Sequence, residues 1–118
     1  MQLNFIKPKE NIASAKLTVH KSGKIGLSKG AADLLQVEKL KFCKFGTNET
    51  NEMFVVMFDD SDGETFNIAK AGAYYYISAK VLLKDIGVDY KSNDTIIFDL
   101  EETDNENVYK MVKRIIKK

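Results

Sequence analysis

The sequence has very few of the residues that build metal sites, disulfides and nucleophilic active sites. Its 118 residues contain one cysteine, Cys43, and one histidine, His20. A zinc site needs three or four Cys and His ligands, so the chain has too few for one. A lone cysteine forms no disulfide within the chain, which favours a reducing compartment and a cytoplasmic protein. A nucleophilic pair would have to consist of Cys43 and His20. Cys43 lies in an alternating strand, where a thiol is usually buried, so we do not expect such a pair.

Long apolar segments and phosphate-binding loops are absent too. The longest apolar run is the six residues 53–58, where a membrane-spanning helix needs about 20. Residues 1–12 are interrupted by charged residues and by Pro8, so we expect no secretory signal. No Gly-rich loop ends in Lys-Ser or Lys-Thr, and the acidic run at residues 59–64 lacks the frame of a calcium loop. We therefore expect a non-enzymatic protein without a metal or another cofactor.

The composition is that of one ordinary globular domain, but the charge is unevenly distributed along it. The chain is 44% hydrophobic and 30% charged, and its formal net charge is +1. The charge of successive segments is +6 for residues 1–44, −6 for 45–68, +2 for 69–91, −6 for 92–107 and +5 for 108–118. Such segregation either produces a basic face opposite acidic loops or is only a set of solubilising loops.

Hydrophobic patterning predicts seven short strands and two short helices before residue 101. The predicted strands span residues 16–20, 24–27, 39–45, 53–58, 65–69, 73–77 and 95–100. Ser28 and Ser78 each precede apolar residues at helical spacing. We therefore expect helices at residues 29–36 and 79–86, each capped by its serine side chain.

The end of the chain has a pattern that is typical of an amphipathic helix at residues 107–118. Its apolar residues recur at intervals of three and four, with lysines and an arginine between them. Such a helix would dock on the sheet or pair with a second copy in a homodimer. The candidate dimer-interface residues are Val108, Met111, Val112 and Ile115.

One arrangement of elements occurs twice, within residues 16–58 and 65–100. Each copy has a strand, a turn with Lys and Gly, a second strand ending at a serine, a short helix and a further strand. The repeat predicts a single α+β domain over residues 1–118. It has a curved, mainly antiparallel sheet or small barrel built from two ββαβ-like repeats, plus the C-terminal amphipathic helix.

Basic and aromatic residues are the main candidates for a binding surface. Cations near a hairpin tip are suited to phosphates, although lysines also protect exposed strand edges from aggregation. Three consecutive tyrosines alternate in direction along a strand, so that some pack in the core and others are free to stack on bases. The candidate nucleic-acid-binding residues are Lys16, His20, Lys21, Lys24, Lys29 and Lys70, and the candidate stacking residues are Tyr74, Tyr75 and Tyr76.

Residues 19–37, VHKSGKIGLSKGAADLLQV, resemble the AbrB/SpoVT family of swapped-hairpin DNA-binding domains. The chain departs from the family pattern at Ser28, where proline is usual, and at residues 38–39, where a Gly-Asp turn is favoured. The resemblance implies a transcription regulator that binds duplex DNA as a dimer, with Lys16, Lys21 and Lys24 nearest to the family's basic positions. The matching residues are Gly23, Ile25, Leu27, Ala32, Leu34 and Val37.

The order of predicted elements, counting a strand at residues 3–6, is similar to the Whirly and Pur families in architecture alone. That similarity implies binding of single-stranded nucleic acid, with Tyr74, Tyr75 and Tyr76 as stacking residues. The sequence as a whole therefore favours a non-enzymatic DNA-binding protein, with duplex preferred over single-stranded DNA. The alternatives are a single-stranded nucleic-acid-binding protein and a protein–protein interaction subunit that uses its C-terminal helix or its edge strands.

Overall fold

The computed structural model describes residues 2–3 and 15–117, which form eight strands and two short helices. Residues 4–6 of the predicted strand at 3–6 lie outside the described part of the chain. The elements are β1 (Lys16–Val19), β2 (Lys24–Leu27), α1 (Lys29–Leu34), β3 (Phe42–Thr47), β4 (Met53–Phe58), β5 (Phe66–Ala71), β6 (Tyr74–Ser78), α2 (Lys80–Asp85), β7 (Thr95–Glu102) and β8 (Val108–Ile116).

The strands close into a barrel in the order β1-β2-β6-β5-β3-β4-β8-β7, and every neighbouring pair is antiparallel. Exchanging β1–β4 with β5–β8 reproduces the same set of neighbours, so the topology is two-fold symmetric. Four of the pairings join one half of the chain to the other: β1 with β7, β2 with β6, β3 with β5 and β4 with β8. Each half therefore depends on the other to complete its sheet.

Alternation along the strands fills the barrel interior with apolar side chains. Leu17, Ile25, Ile77 and Phe98 are almost completely buried, whereas their neighbours along each strand point outward. The Ser28 side chain accepts a hydrogen bond from the amide of Ala31 at 3.1 Å, which confirms the predicted cap of α1. No helix in the described residues is long and apolar enough to cross a membrane.

The predicted α+β class is wrong, because the described residues form an eight-stranded antiparallel barrel with only two short helices. The predicted serine cap of the second helix is wrong as well. Ser78 is the last residue of β6, and α2 begins after Ala79 without a side-chain cap.

The predicted C-terminal amphipathic helix at residues 107–118 is also wrong, since Val108–Ile116 is strand β8. The strand pairs with β7 along eight residues and with β4 along four. Four of its nine residues are β-branched and one is a tyrosine, which favours a strand over a helix. The apolar spacing fits both structures, and the partner strands decide between them. In the strand, Met111 and Tyr109 are buried in the core, whereas Val112, Ile115 and Ile116 are exposed.

The seam between β4 and β8 has an ion pair at one end. Here the register runs from Met53 opposite Met111 to Val56 opposite Val108. Beside the pair Met53 and Met111, the Lys110 ammonium binds the Glu52 carboxylate. This carboxylate also accepts hydrogen bonds from Asn48 and Thr50. These contacts, led by the bond from Lys110, lower the pKa of Glu52 from 4.5 to about 2.

We expect acid to weaken this seam. Because the pKa of Glu52 is depressed in the fold, its contribution to stability is present above pH 4.5 and is lost as the pH falls through about 2. The contribution is small, since the pair is exposed to solvent. Urea unfolding between these pH values should show a shallower loss of stability in Glu52→Gln than in the wild type. Glu49→Gln in the same loop is the control, and an equal change in both variants would contradict the assignment.

The strand assignment of β8 predicts unequal effects for two residues that a helix would place in one stripe. Met111 is 5% exposed and Ile115 is 47% exposed. Met111→Ala should lower the free energy of unfolding by about 2–5 kcal/mol. Ile115→Ala should lower it by less than about 1 kcal/mol. Urea denaturation of both variants measures the difference, and similar large losses would contradict the strand.

Candidate nucleic-acid interface

The outer face of β1, β2 and β6 brings several of the predicted binding residues together around Gly26. Gly26 pairs with Thr18 on one side and with Tyr76 on the other. His20 Nε2 and Tyr74 Oη are joined by a hydrogen bond of 2.8 Å. We call His20, Lys24, Tyr74 and Tyr76 the Gly26 cluster.

Gly26 makes this arrangement possible because it has no side chain. A Cβ at this position would overlap both the Tyr74 hydroxyl and Nε2 of His20. The bond between these two side chains therefore passes directly over the backbone of β2. A glycine within a strand commonly marks such a close approach.

Rings and cations are layered on this face. The Tyr74 and Tyr76 rings are stacked with their centroids 6.5 Å apart and an interplanar angle of 23°. The Lys24 ammonium lies 4.6 Å from the centroid of the Tyr76 ring, within the range of a cation–π interaction. Tyr74 is 43% exposed and Tyr76 is half-buried, so Tyr74 is the more accessible ring of the pair.

The charge of the face is positive. β1, β2 and β6 contain Lys16 and Lys24 and no carboxylate. Lys16 lies beside Asp99 of β7, but both carboxylate oxygens of Asp99 accept hydrogen bonds from Arg114. The acidic segments of the sequence lie mainly in turns outside these three strands.

Two further predicted lysines flank the cluster. Lys21 is exposed in the turn between β1 and β2, where its ammonium donates to Asn93 Oδ1 at 2.9 Å. Lys29 is exposed at the first position of α1, immediately after Ser28. The Ser28 side chain accepts a hydrogen bond from the Lys16 amide at 2.9 Å, which fixes the start of β1 to the end of β2.

The tip of the first hairpin is packed against the barrel. Gly23 has a φ of +85° and is buried. Its carbonyl accepts a hydrogen bond from the Ala79 amide at 3.0 Å, and a Cβ on Gly23 would lie 3.0 Å from Lys80 Cβ. This turn therefore does not project as a free ribbon.

Lys70 and Tyr75 are separated from the Gly26 cluster. Lys70 belongs to β5 and not to the turn that was predicted at residues 70–72, since the turn lies at residues 72–73. Its ammonium lies 5.7 Å from the Tyr75 ring. Tyr75 follows the inward alternation of β6 and packs against the core, so the three tyrosines divide between two faces.

The structure also separates Cys43 from His20. Cys43 lies in β3 inside the barrel and is completely buried, which raises the pKa of its thiol to about 12. His20 is exposed on the outside, where it bonds to Tyr74. Among residues 2–3 and 15–117, no group of three or more His, Cys, Asp and Glu side chains could hold a metal ion.

The candidate dimer residues at the C-terminus share no common face. Strand alternation places Met111 and Ile115 on one side of β8 and Val108 and Val112 on the other. Met111 is part of the core, and Ile115 and Val112 are exposed. The helical stripe that these four residues were expected to form does not exist.

Sequence reasoning missed two features that the fold creates. The first is the role of Gly26, for which an outward-facing glycine within β2 was the available signal. The second is a cleft of about 420 Å³ between the start of β4, the segment after α2, β7 and β8. No local pattern signals the cleft, because four segments that are distant in sequence form it.

Comparisons with protein-family models, with curated proteins and with solved structures find no match to this chain. The resemblances to the AbrB/SpoVT, Whirly and Pur families therefore stay predictions.

A methyl group at position 26 tests the geometry of the cluster. Gly26→Ala should break the hydrogen bond between His20 and Tyr74 at a cost of about 1 kcal/mol, because the ends of both side chains can move aside. In a Tyr74→Ala background the same change should be nearly neutral, which gives a measurable coupling in a double-mutant cycle. Additive effects of the two substitutions on urea unfolding would contradict the close approach over Gly26.

Proposed function

We propose that this protein binds single-stranded nucleic acid, without catalysis, through the Gly26 cluster on the outer face of β1, β2 and β6. The observation that carries the proposal is the stacked pair Tyr74 and Tyr76 beside the Lys24 ammonium. Exposed aromatic rings next to cations on a sheet surface are the usual platform for unpaired bases.

The rings supply the affinity for bases. Tyr74 is held in place by its hydrogen bond to His20, so little freedom is lost when a base stacks on it. Every base has a flat apolar surface, so this contact tolerates many sequences.

The cations supply the affinity for phosphates. Lys16 and Lys24 stand on the same face as the rings, and Lys21 and Lys29 follow at its borders. Ammonium groups contact phosphates without reading sequence, and their contribution falls as salt rises.

The packing of the first hairpin against the barrel favours single-stranded over duplex nucleic acid. A β-ribbon that reads the major groove must project from its domain. The turn at residues 21–23 is instead fixed to β6 and α2 by the bond between Gly23 and Ala79. A flat platform of two tyrosines suits unpaired bases better than it suits a groove.

The cytoplasm, or another reducing compartment, is the location that we propose. The thiol of Cys43 lies inside the barrel and no second cysteine exists in the sequence. Such a protein needs no oxidising environment for its fold.

Fluorescence anisotropy with matched single-stranded and duplex oligonucleotides tests the proposal. We expect tighter binding to the single strand and a steep loss of affinity between about 50 mM and 200 mM salt. Tyr76→Ala should weaken this binding by about 1–3 kcal/mol, whereas Tyr76→Phe keeps the ring and should retain it. Lys24→Glu should weaken binding to every sequence and reduce the salt dependence.

Lys39→Glu is the matched control, since Lys39 is exposed after α1 and lies outside the three strands. It makes the same charge change as Lys24→Glu. An equal loss of affinity in both lysine variants would show that only net charge matters, and it would contradict a defined interface. Tighter binding to the duplex would return the assignment to double-stranded DNA. Absence of binding to either form at the lower salt would overturn the nucleic-acid function.

A further inference from the structure

Strand β8 extends beyond its partner on one side of the barrel. Its pairing with β4 ends at Met53 opposite Met111, whereas its pairing with β7 continues to Thr95 opposite Ile116. Residues 112–116 therefore have a strand on one side only, within the described part of the chain. The exposed side chains Val112, Ile115 and Ile116 lie in this segment.

The backbone groups on the open side belong to Lys113 and Ile115. The carbonyl of Asn107 accepts a hydrogen bond from the amide of Met57. The backbone N–H and C=O groups of the odd-numbered residues of β8 are therefore directed toward β4. In an antiparallel strand the backbone groups of successive residues are directed to opposite sides of the strand. The N–H and C=O groups of residues 113 and 115 are consequently directed to the position that a further strand would occupy.

A cleft with both apolar and polar lining residues lies beside this open edge. It has a volume of about 420 Å³ and is formed by the start of β4, the segment after α2, β7 and β8. Its walls include the apolar side chains of Met53, Val88, Phe98 and Met111. A strand added next to β8 would direct alternate side chains toward this cleft.

The charge of the edge favours an acidic occupant. Lys110 and Arg114 are engaged by Glu52 and Asp99. Lys113 and Lys117 are exposed and have no ion pair within residues 2–3 and 15–117. A carboxylate on an added strand would find these two ammonium groups without competing partners.

We propose that the open edge of β8 binds an extended acidic peptide segment of a partner protein as an additional antiparallel strand. The backbone of Lys113 and Ile115 supplies the hydrogen bonds, the cleft takes an apolar side chain, and Lys113 and Lys117 pair with carboxylates. This mode of recognition combines backbone hydrogen bonds with pockets for alternate side chains. The site is separate from the Gly26 cluster and does not rest on the proposed nucleic-acid function.

A second copy of the chain suits this edge less well. Antiparallel pairing of two β8 edges would bring their lysines and arginines together, because the segment 108–118 carries a net charge of +5. Like charges on paired strands are destabilising. Charge therefore selects an acidic partner over self-association.

A labelled heptapeptide with alternating glutamate and valine is the probe, and anisotropy measures its binding to the full chain. We expect saturable binding that a peptide of alternating lysine and valine does not show. Lys113→Glu should weaken binding of the acidic peptide at least about fivefold and strengthen binding of the basic one. Equal binding of both peptides, or no binding of the acidic one, would overturn the proposal.

Ile115→Pro tests the backbone directly. Proline has no backbone N–H, and the N–H of residue 115 is directed to the open side. The pairing with β7 is therefore retained, and an edge strand tolerates proline at such a position. We expect peptide binding to fall about tenfold while circular dichroism and thermal unfolding show a folded barrel. Ile115→Val keeps the amide and should keep the binding. A folded Ile115→Pro variant with unchanged affinity would overturn the strand-addition mode.

Light scattering at increasing protein concentration tests whether a second copy of the chain, and not a peptide, occupies the edge. A monomer is expected in the absence of peptide. A dimer that Ile115→Pro dissociates would assign the edge to a second copy and overturn the peptide.

Discussion

The pairing of β2 with β6 across the two halves of the chain determines most of what this protein presents to a ligand. It places Gly26 opposite Tyr76 and Lys24 opposite Ser78, although about fifty residues separate them in sequence. Without this register the tyrosines of the second half would not lie beside the lysine and histidine of the first. The fold and the candidate interface therefore depend on the same set of backbone hydrogen bonds.

Local patterns predicted the short strands well and the end of the chain badly. Alternation of Leu17 with Val19 and of Ile25 with Leu27 identified the first hairpin, and Ser28 identified the start of α1. Residues 108–116 have apolar spacing that also fits a helix. Their strand conformation is stabilised by pairing with β7 and β4, and a single-segment pattern does not contain that tertiary information.

The members of the interface were predictable as residue types, but their grouping was not. His20, Lys24, Tyr74 and Tyr76 were all candidates from the sequence, and alternation alone separated Tyr75 from its two neighbours. Lys70 was predicted in the same group, yet it extends toward Tyr75 on a different face. Gly26 decides the geometry of the cluster, and its role depends on contacts with a strand from the other half.

The most direct test of the account is a nuclear magnetic resonance titration of the isotope-labelled protein with a short single-stranded oligonucleotide. The amide resonances of β1, β2 and β6, and the ring resonances of Tyr74 and Tyr76, should shift together and saturate. Resonances of β8 should remain unchanged, because its open edge is a separate surface. Shifts confined to β8, or spread evenly over all exposed lysines, would contradict an interface built around Gly26.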